Sequence, residues 1–249
     1  MEITSLILLL IISFVTSIIG TLIGTAMLIM PPAMIFLGVP VHTAIATARF
    51  SMLGIGIGNI TKFSLQDRIN LKYALPFAIA GIFGALFGAS LLAKIEENVL
   101  KIIIGILMIS ISLLVLFEDR IKPSSKRKQI RLGHYALSII AGLFIGAYIG
   151  VIGGGGATII IFLLVLIYGL NFKDAVANQK AVTLPMTITA TIIFVYQGLI
   201  DYKLGVPLLL TNLLGGWVGA GLLLNFKNKW LKIILIPIMV IMAVKLIFF

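Results

Sequence analysis

The 249-residue chain has no cysteine, two histidines and eight acidic residues. Without cysteine there are no disulfides, no thiolate nucleophile and no cysteine-based metal site, and two histidines are too few for a histidine-rich one. Neither a metal nor a cofactor is expected from this residue set. Charge of either sign is scarce: Asp, Glu, Lys and Arg make up 11% of the chain, against about 25% in a soluble domain. So little charge cannot cover a water-facing surface, which excludes a soluble enzyme and a nucleic-acid-binding domain. What fills the chain is apolar. The hydrophobic class makes up 61% of the residues, and the mean hydropathy is +1.21. The excess of basic residues, a formal net charge of +11, is therefore a membrane protein's charge, with the lipid bilayer as solvent.

A spanning helix needs about 20 mostly apolar residues. The stretch 3–37 is too long for one helix and is interrupted by Gly20, Gly24 and the Pro31–Pro32 pair. Further apolar stretches run over 44–61, 73–93, 98–117, 133–152, 155–170, 175–199, 204–224 and 231–248. The fold expected is an all-α polytopic membrane protein with eight to ten membrane elements. The start, with Glu2 and no basic residue ahead of the apolar run, does not read as a cleavable signal peptide. One polar segment, Glu118–Arg131 (EDRIKPSSKRKQIR), divides the chain near its middle. The expected organisation is a first transmembrane repeat over 1–117, a basic cytoplasmic linker over 118–132 and a second repeat over 133–249.

The repeat is legible at an offset of 131 residues. Gly24 falls on Gly155, Gly38 on Gly169, Arg49 on Lys180, Pro76 on Pro207, Gly84 on Gly215 and Gly88 on Gly219. Apolar matches carry little weight in so apolar a chain; matched glycines, prolines and an intramembrane cation carry much more. Loop charge sets the relative orientation, because cytoplasmic loops collect Lys and Arg. With five elements per half, 62–72, 118–132, 171–174 and 225–232 fall on one, strongly basic side. The N-terminus, 38–43, 94–101 and 200–203 fall on the other, which is near neutral. That distribution favours two inverted repeats with broken helices and both termini outside.

Two features point to a site. Gly150-Val-Ile-Gly-Gly-Gly-Gly156 cannot continue as a lipid-facing helix, and Gly20-Thr-Leu-Ile-Gly-Thr25 is its counterpart. Irregular backbone survives in hydrocarbon only where protein buries it or a cavity solvates it, and paired breaks in two halves mark a transporter's binding site. Close packing through small residues is the plainer alternative. A phosphate-binding P-loop is excluded, since no Gly-Lys-Ser/Thr follows the glycines. The second feature is charge inside the apolar fraction. Arg49 is the only charged residue between 3 and 61, and Lys180 is its repeat mate. A cation there costs about 2.5–3.5 kcal/mol, so it faces a bundle interior or a water-filled cavity, or snorkels to the interface. Because both halves keep one, Arg49 and Lys180 are expected to line one anion site. Thr47, Asn178 and Gln179 are expected to add donors, and the helix-end amides at Gly24, Thr25, Gly153, Gly154, Gly155 and Gly156 to cap the anion. Asn59 and Thr61 are further polar candidates, equally read as ordinary interhelical hydrogen bonding. Gly81, Gly84 and Gly88, with Gly215 and Gly219, read as packing ridges.

These motifs together resemble the TauE/SafE family of sulfite and organosulfonate exporters over nearly the whole chain. The resemblance rests on Gly150-x-x-Gly-Gly-Gly-Gly156, Gly169-x-x-x-x-Asp-Ala175, Asn178, Gly198-x-x-Asp201 and Gly215-x-x-x-Gly-Ala220. The first half repeats them as Gly24, Pro31, Gly38-Val-Pro-x-x-x-Ala44-x-Ala-Thr47 and Gly84-x-x-x-Gly-Ala89. It departs in carrying Gly24-Thr25-Ala26 where a glycine run is usual. The resemblance implies a plasma-membrane protein moving anions such as sulfite, sulfoacetate or thiosulfate. The expected activity is secondary transport, by alternating access and in the export direction, with a small anionic substrate as partner. A homodimer stays open. The rival readings are an anion channel or a subunit of a transport complex. Catalysis ranks behind both, since there is no Ser/His/Asp set and no paired intramembrane carboxylate.

Overall fold

A computed structural model describes residues 3–116, 131–223 and 229–248. The described residues form ten α-helices and no strand: α1 (Ile3–Ile23), α2 (Ala26–Phe36), α3 (Val41–Ser64), α4 (Leu71–Leu92), α5 (Glu97–Leu116), α6 (Leu132–Val151), α7 (Gly156–Tyr168), α8 (Phe172–Tyr196), α9 (Tyr202–Leu222) and α10 (Lys229–Phe248). The protein is an all-helical, multi-pass membrane protein. Among the described residues α1, α4, α5, α6 and α9 are each long and apolar enough to cross a bilayer. Helices α7 and α8 pass the same test together but are bent by 119° at the Gly169–Asn171 break. The basic residues of 118–130 and Lys227 lie outside the described residues, as do the side chains of Lys229, Trp230 and Lys232.

The helices recur at the offset read from the sequence. Shifting α3 by 131 gives 172–195, against Phe172–Tyr196 for α8; shifting α4 gives 202–223, against Tyr202–Leu222 for α9. The first two helices of each set, α1–α2 and α6–α7, are the two pieces of a broken element. The first break falls at Gly24, which takes φ +88°, and the second at Gly153 and Gly155, at +75° and +79°. These are left-handed values that cost a residue with a Cβ roughly 1–2 kcal/mol. The Pro31–Pro32 pair, in contrast, does not interrupt the chain. Both prolines lie inside α2 and are buried.

The two sets interlock. Helix α4 packs against α6 and α8, and its counterpart α9 packs against α1 and α3; α3 and α8 meet at the centre, and α5 meets α10. Small residues permit these approaches. A Cβ on Gly84 would sit 2.7 Å from the backbone nitrogen of Ala147 on α6, and one on Gly219 would sit 2.9 Å from the Ile18 oxygen on α1. The glycine ridges of α4 and α9 therefore do the same job against repeat-related partners, in the close backbone packing that membrane helices use in place of a hydrophobic driving force.

Candidate anion site

At the centre lies a small cavity of about 70 Å³. It is built from both breaks and from the two central helices. The first turns of α2 and α7 contribute Ala26, Met27 and Ala157, and Gly24 and Gly153 come from the breaks themselves. One face of α3 adds Arg49, Met52, Ile55 and Gly56; the matching face of α8 adds Gln179, Lys180, Thr183, Leu184 and Thr187. First-turn amides of a helix have no intrahelical acceptor, and the positive end of the dipole sits there. The cavity is thus lined by two helix N-termini and two cations.

Each cation crosses to the broken helix of the other set. The guanidinium of Arg49, on α3, donates to the Ile149 carbonyl oxygen near the end of α6 at 2.5 Å. The ammonium of Lys180, on α8, donates to the Gly20 carbonyl oxygen near the end of α1 at 3.4 Å. Cations are favourable at the C-terminal ends of helices, where carbonyls lack intrahelical donors. The two side chains are 3% and 5% exposed. Two ion pairs are found among the described residues, His42–Glu97 and Arg68–Asp174, and neither involves a cavity cation. Arg49 Nε and Gln179 Oε1 are buried without a hydrogen-bond partner. Gln179 Nε2 donates to Thr183 Oγ1 at 2.7 Å, and that hydroxyl donates to the Gln179 backbone oxygen at 3.0 Å. Two uncompensated positive charges and an unsatisfied N–H in one enclosed space suit an anion.

Five of the expected residues line the cavity: Arg49, Lys180, Gln179, Gly24 and Gly153. The others sit elsewhere. The remaining three glycines of the run are packing positions, because a Cβ on Gly154, Gly155 or Gly156 would run into the side chains of Leu28, Ile111 and Ile149 respectively. The Tyr148 hydroxyl also donates to the Gly154 oxygen and pins the run. Thr25 is buried outside the lining, with no partner for its hydroxyl. Asn59 accepts from the Thr21 hydroxyl at 3.0 Å, and exposed Thr61 bonds back to the Ile57 oxygen.

Thr47 and Asn178 form a pair of clamps. Asn178 Oδ1 accepts from the backbone N–H of Asn70 at 2.8 Å. Thr47 Oγ1 accepts from the backbone N–H of Asp201 at 2.9 Å. Adding 131 to 70 gives 201, and subtracting it from 178 gives 47, so the two bonds are repeat mates. Asn70 and Asp201 are the N-cap residues of α4 and α9, each accepting from first-turn amides of its own helix. In both sets the third helix therefore holds the start of the other set's fourth helix: α8 holds α4, and α3 holds α9.

Thr183 and Thr187 were not singled out from sequence. They lie three and seven residues after Lys180, on the same helical face, and a walk along that face finds them. Their repeat mates Met52 and Gly56 also line the cavity.

The family model for the sulfite exporter TauE/SafE matches residues 9–246. The chain belongs to the TauE/SafE family. It is similar to the probable membrane transporter protein ORF9 of a Sinorhizobium species, at 26% identity over 94% of this chain and 89% of the relative. A probable membrane transporter protein of Haemophilus influenzae is 25% identical over 93% and 89%. The probable membrane transporter protein YfcA of Escherichia coli is 26% identical over 92% and 85%. A TauE/SafE chain of this kind is a membrane transporter, and its central cavity is the place to look for the transported species.

Proposed function

We propose that the protein is a secondary transporter of small sulfur-containing anions of the sulfite, sulfonate or thiosulfate class, working by alternating access. The observation that carries this reading is the pair of buried cations, repeat-related and without a carboxylate partner among the described residues, facing one cavity. Arg49 and Lys180 offset the anion's desolvation, and first-turn amides of α2 and α7 add donors around it. The two sets of five helices are inverted in the bilayer, so that rocking one against the other exposes the site to each side in turn. Export follows from electrostatics: moving one negative charge out of a cell that is negative inside gains about 2.3 kcal/mol per 100 mV. No coupling ion is then required.

The test is efflux of sulfite and methanesulfonate from proteoliposomes holding the parent, Arg49→Ala or Lys180→Ala, each checked for folding by its thermal transition. Losing a buried charge partner costs about 2 kcal/mol or more, so each variant is expected to transport about 30-fold slower at low substrate. Parental rates in both variants sink the proposal. Flux that fails to saturate with substrate moves the reading to a channel.

A further inference from the structure

The cavity has two unlike walls. Four pairs of its lining residues are related by the repeat: Ala26 with Ala157, Arg49 with Lys180, Met52 with Thr183, and Gly56 with Thr187. The first two pairs keep their chemistry. The last two do not: α8 presents hydroxyls where α3 presents a thioether and a bare backbone position. Gln179 adds an amide to the α8 wall, and its own repeat mate is Ala48. Beyond Arg49, the α3 wall of Met52, Ile55 and Gly56 offers no N–H or O–H side-chain donor. Although Arg49 starts on α3, its guanidinium reaches across to the Ile149 oxygen on α6. Hydrogen-bond donors therefore gather on the α8 and helix-break side of the cavity.

From this we infer that the site selects anions with one face that needs no hydrogen bond, and that Met52 is a specificity-determining residue. The inference rests on the anion-site reading above and narrows it. A sulfonate presents three oxygens on one side and carbon on the other; sulfite presents three oxygens and a sulfur lone pair. Both set their oxygens toward Lys180, the Arg49 guanidinium and the Thr187 hydroxyl, with the remaining face against Met52 and Ile55. The Gln179 amide, turned about its last torsion, places Nε2 toward the oxygens. Sulfate has no such face. With three oxygens set on the donors, the fourth lies against the Met52 and Ile55 side chains, which carry no donor, and an unpaired buried polar group of this kind is costly. A site discriminates most strongly when the wrong ligand leaves a polar group unpaired. The double charge of sulfate works the other way, since two cations attract a dianion more strongly. A preference for the monoanion consequently reports the wall rather than bare attraction.

The experiment is calorimetric titration of the full chain in nanodiscs with methanesulfonate and with sulfate at one pH and ionic strength. The parent is expected to bind methanesulfonate about ten-fold tighter than sulfate or better. Met52→Thr installs the residue of the repeat mate, and Met52→Gln installs a donor at nearly the same length. Both are expected to raise sulfate affinity and bring the two anions to within about three-fold, the signature of one added hydrogen bond. Met52→Leu, which adds no donor, keeps the parental ratio. Equal binding of the two anions by the parent overturns the inference, as does collapse of the ratio in Met52→Leu. Arg49→Ala and Lys180→Ala are titrated alongside. If they bind both anions like the parent, the site reading itself falls, whereas loss of both anions in those variants with no preference in the parent removes only the role of Met52.

Discussion

The two sets of five helices make the same contacts with unequal strength. In both, a buried cation reaches from the third helix to a carbonyl at the end of the other set's broken helix, Arg49 to Ile149 and Lys180 to Gly20. In both, the third helix clamps the N-cap of a fourth helix, but the clamps differ in number of bonds. Thr47 makes one bond, to Asp201. Asn178 accepts from Asn70 and also donates to the Arg68 and Asp174 carbonyls at 3.1 and 2.8 Å, and the Arg68–Asp174 ion pair closes the same corner at 3.1 Å. The repeat fixes which positions bond across the molecule. The side chain at each position then sets how firmly, so a duplicated scaffold carries a stiff corner and a soft one.

The sharpest way to break this comparison is at the helix breaks. Gly24→Ala and Gly153→Ala each place a Cβ on left-handed backbone, and each is expected to lose about 1–2 kcal/mol of stability in thermal unfolding. Only at Gly153 does the new Cβ fall on the Arg49 guanidinium; at Gly24 it meets Thr158, 2.9 Å from its backbone nitrogen. Gly153→Ala should therefore also weaken methanesulfonate binding in titration, and Gly24→Ala much less. Equal affinities in the two variants would separate Arg49 from the anion.

The clamps give the next largest difference. Asn178→Ala removes three hydrogen bonds and Thr47→Val removes one, at about 1 kcal/mol each. The melting transition of purified protein should fall further for Asn178→Ala, by the equivalent of about 2 kcal/mol. If Thr47→Val proves as damaging, the inequality between the corners is not energetic. The smallest effect is expected from Arg68→Gln. Its ion pair is partly exposed, with side chains 29% and 13% accessible, and such pairs contribute about 0–1 kcal/mol, screened by salt. The loss should shrink as salt is raised.

Much of the fold was legible because its causes are local or additive. Span length follows from the bilayer's thickness, and the break at Gly24 and Gly153–Gly155 follows from glycine's access to positive φ. The 131-residue offset survived because glycine and proline are hard to replace where backbones touch. Pro31 and Pro32 look like a stop, yet α2 runs through them and buries both.

The candidate site was half legible. Arg49 and Lys180 stood out because a charge in hydrocarbon is costly wherever it points. Thr47 and Asn178 looked like their companions because they are near in sequence. They lie two residues from the cations, though, about 200° around an α-helix, and so they face the neighbouring fourth helices. Thr183 and Thr187 are farther along the chain but on the cations' face.

The sequence alone determined that this chain lives in a membrane, that its helices recur at an offset of 131 residues, and that a cation stands at matching positions inside the apolar fraction. Composition and spacing suffice for that, since hydrophobicity and backbone freedom belong to the residues themselves. Only the tertiary structure decided that each cation reaches into the other copy's break, that one glycine of the run of four meets the cavity, and that donors gather on the α8 side. Those outcomes depend on how each helix is rotated against its neighbours, and close packing of all ten sets that rotation.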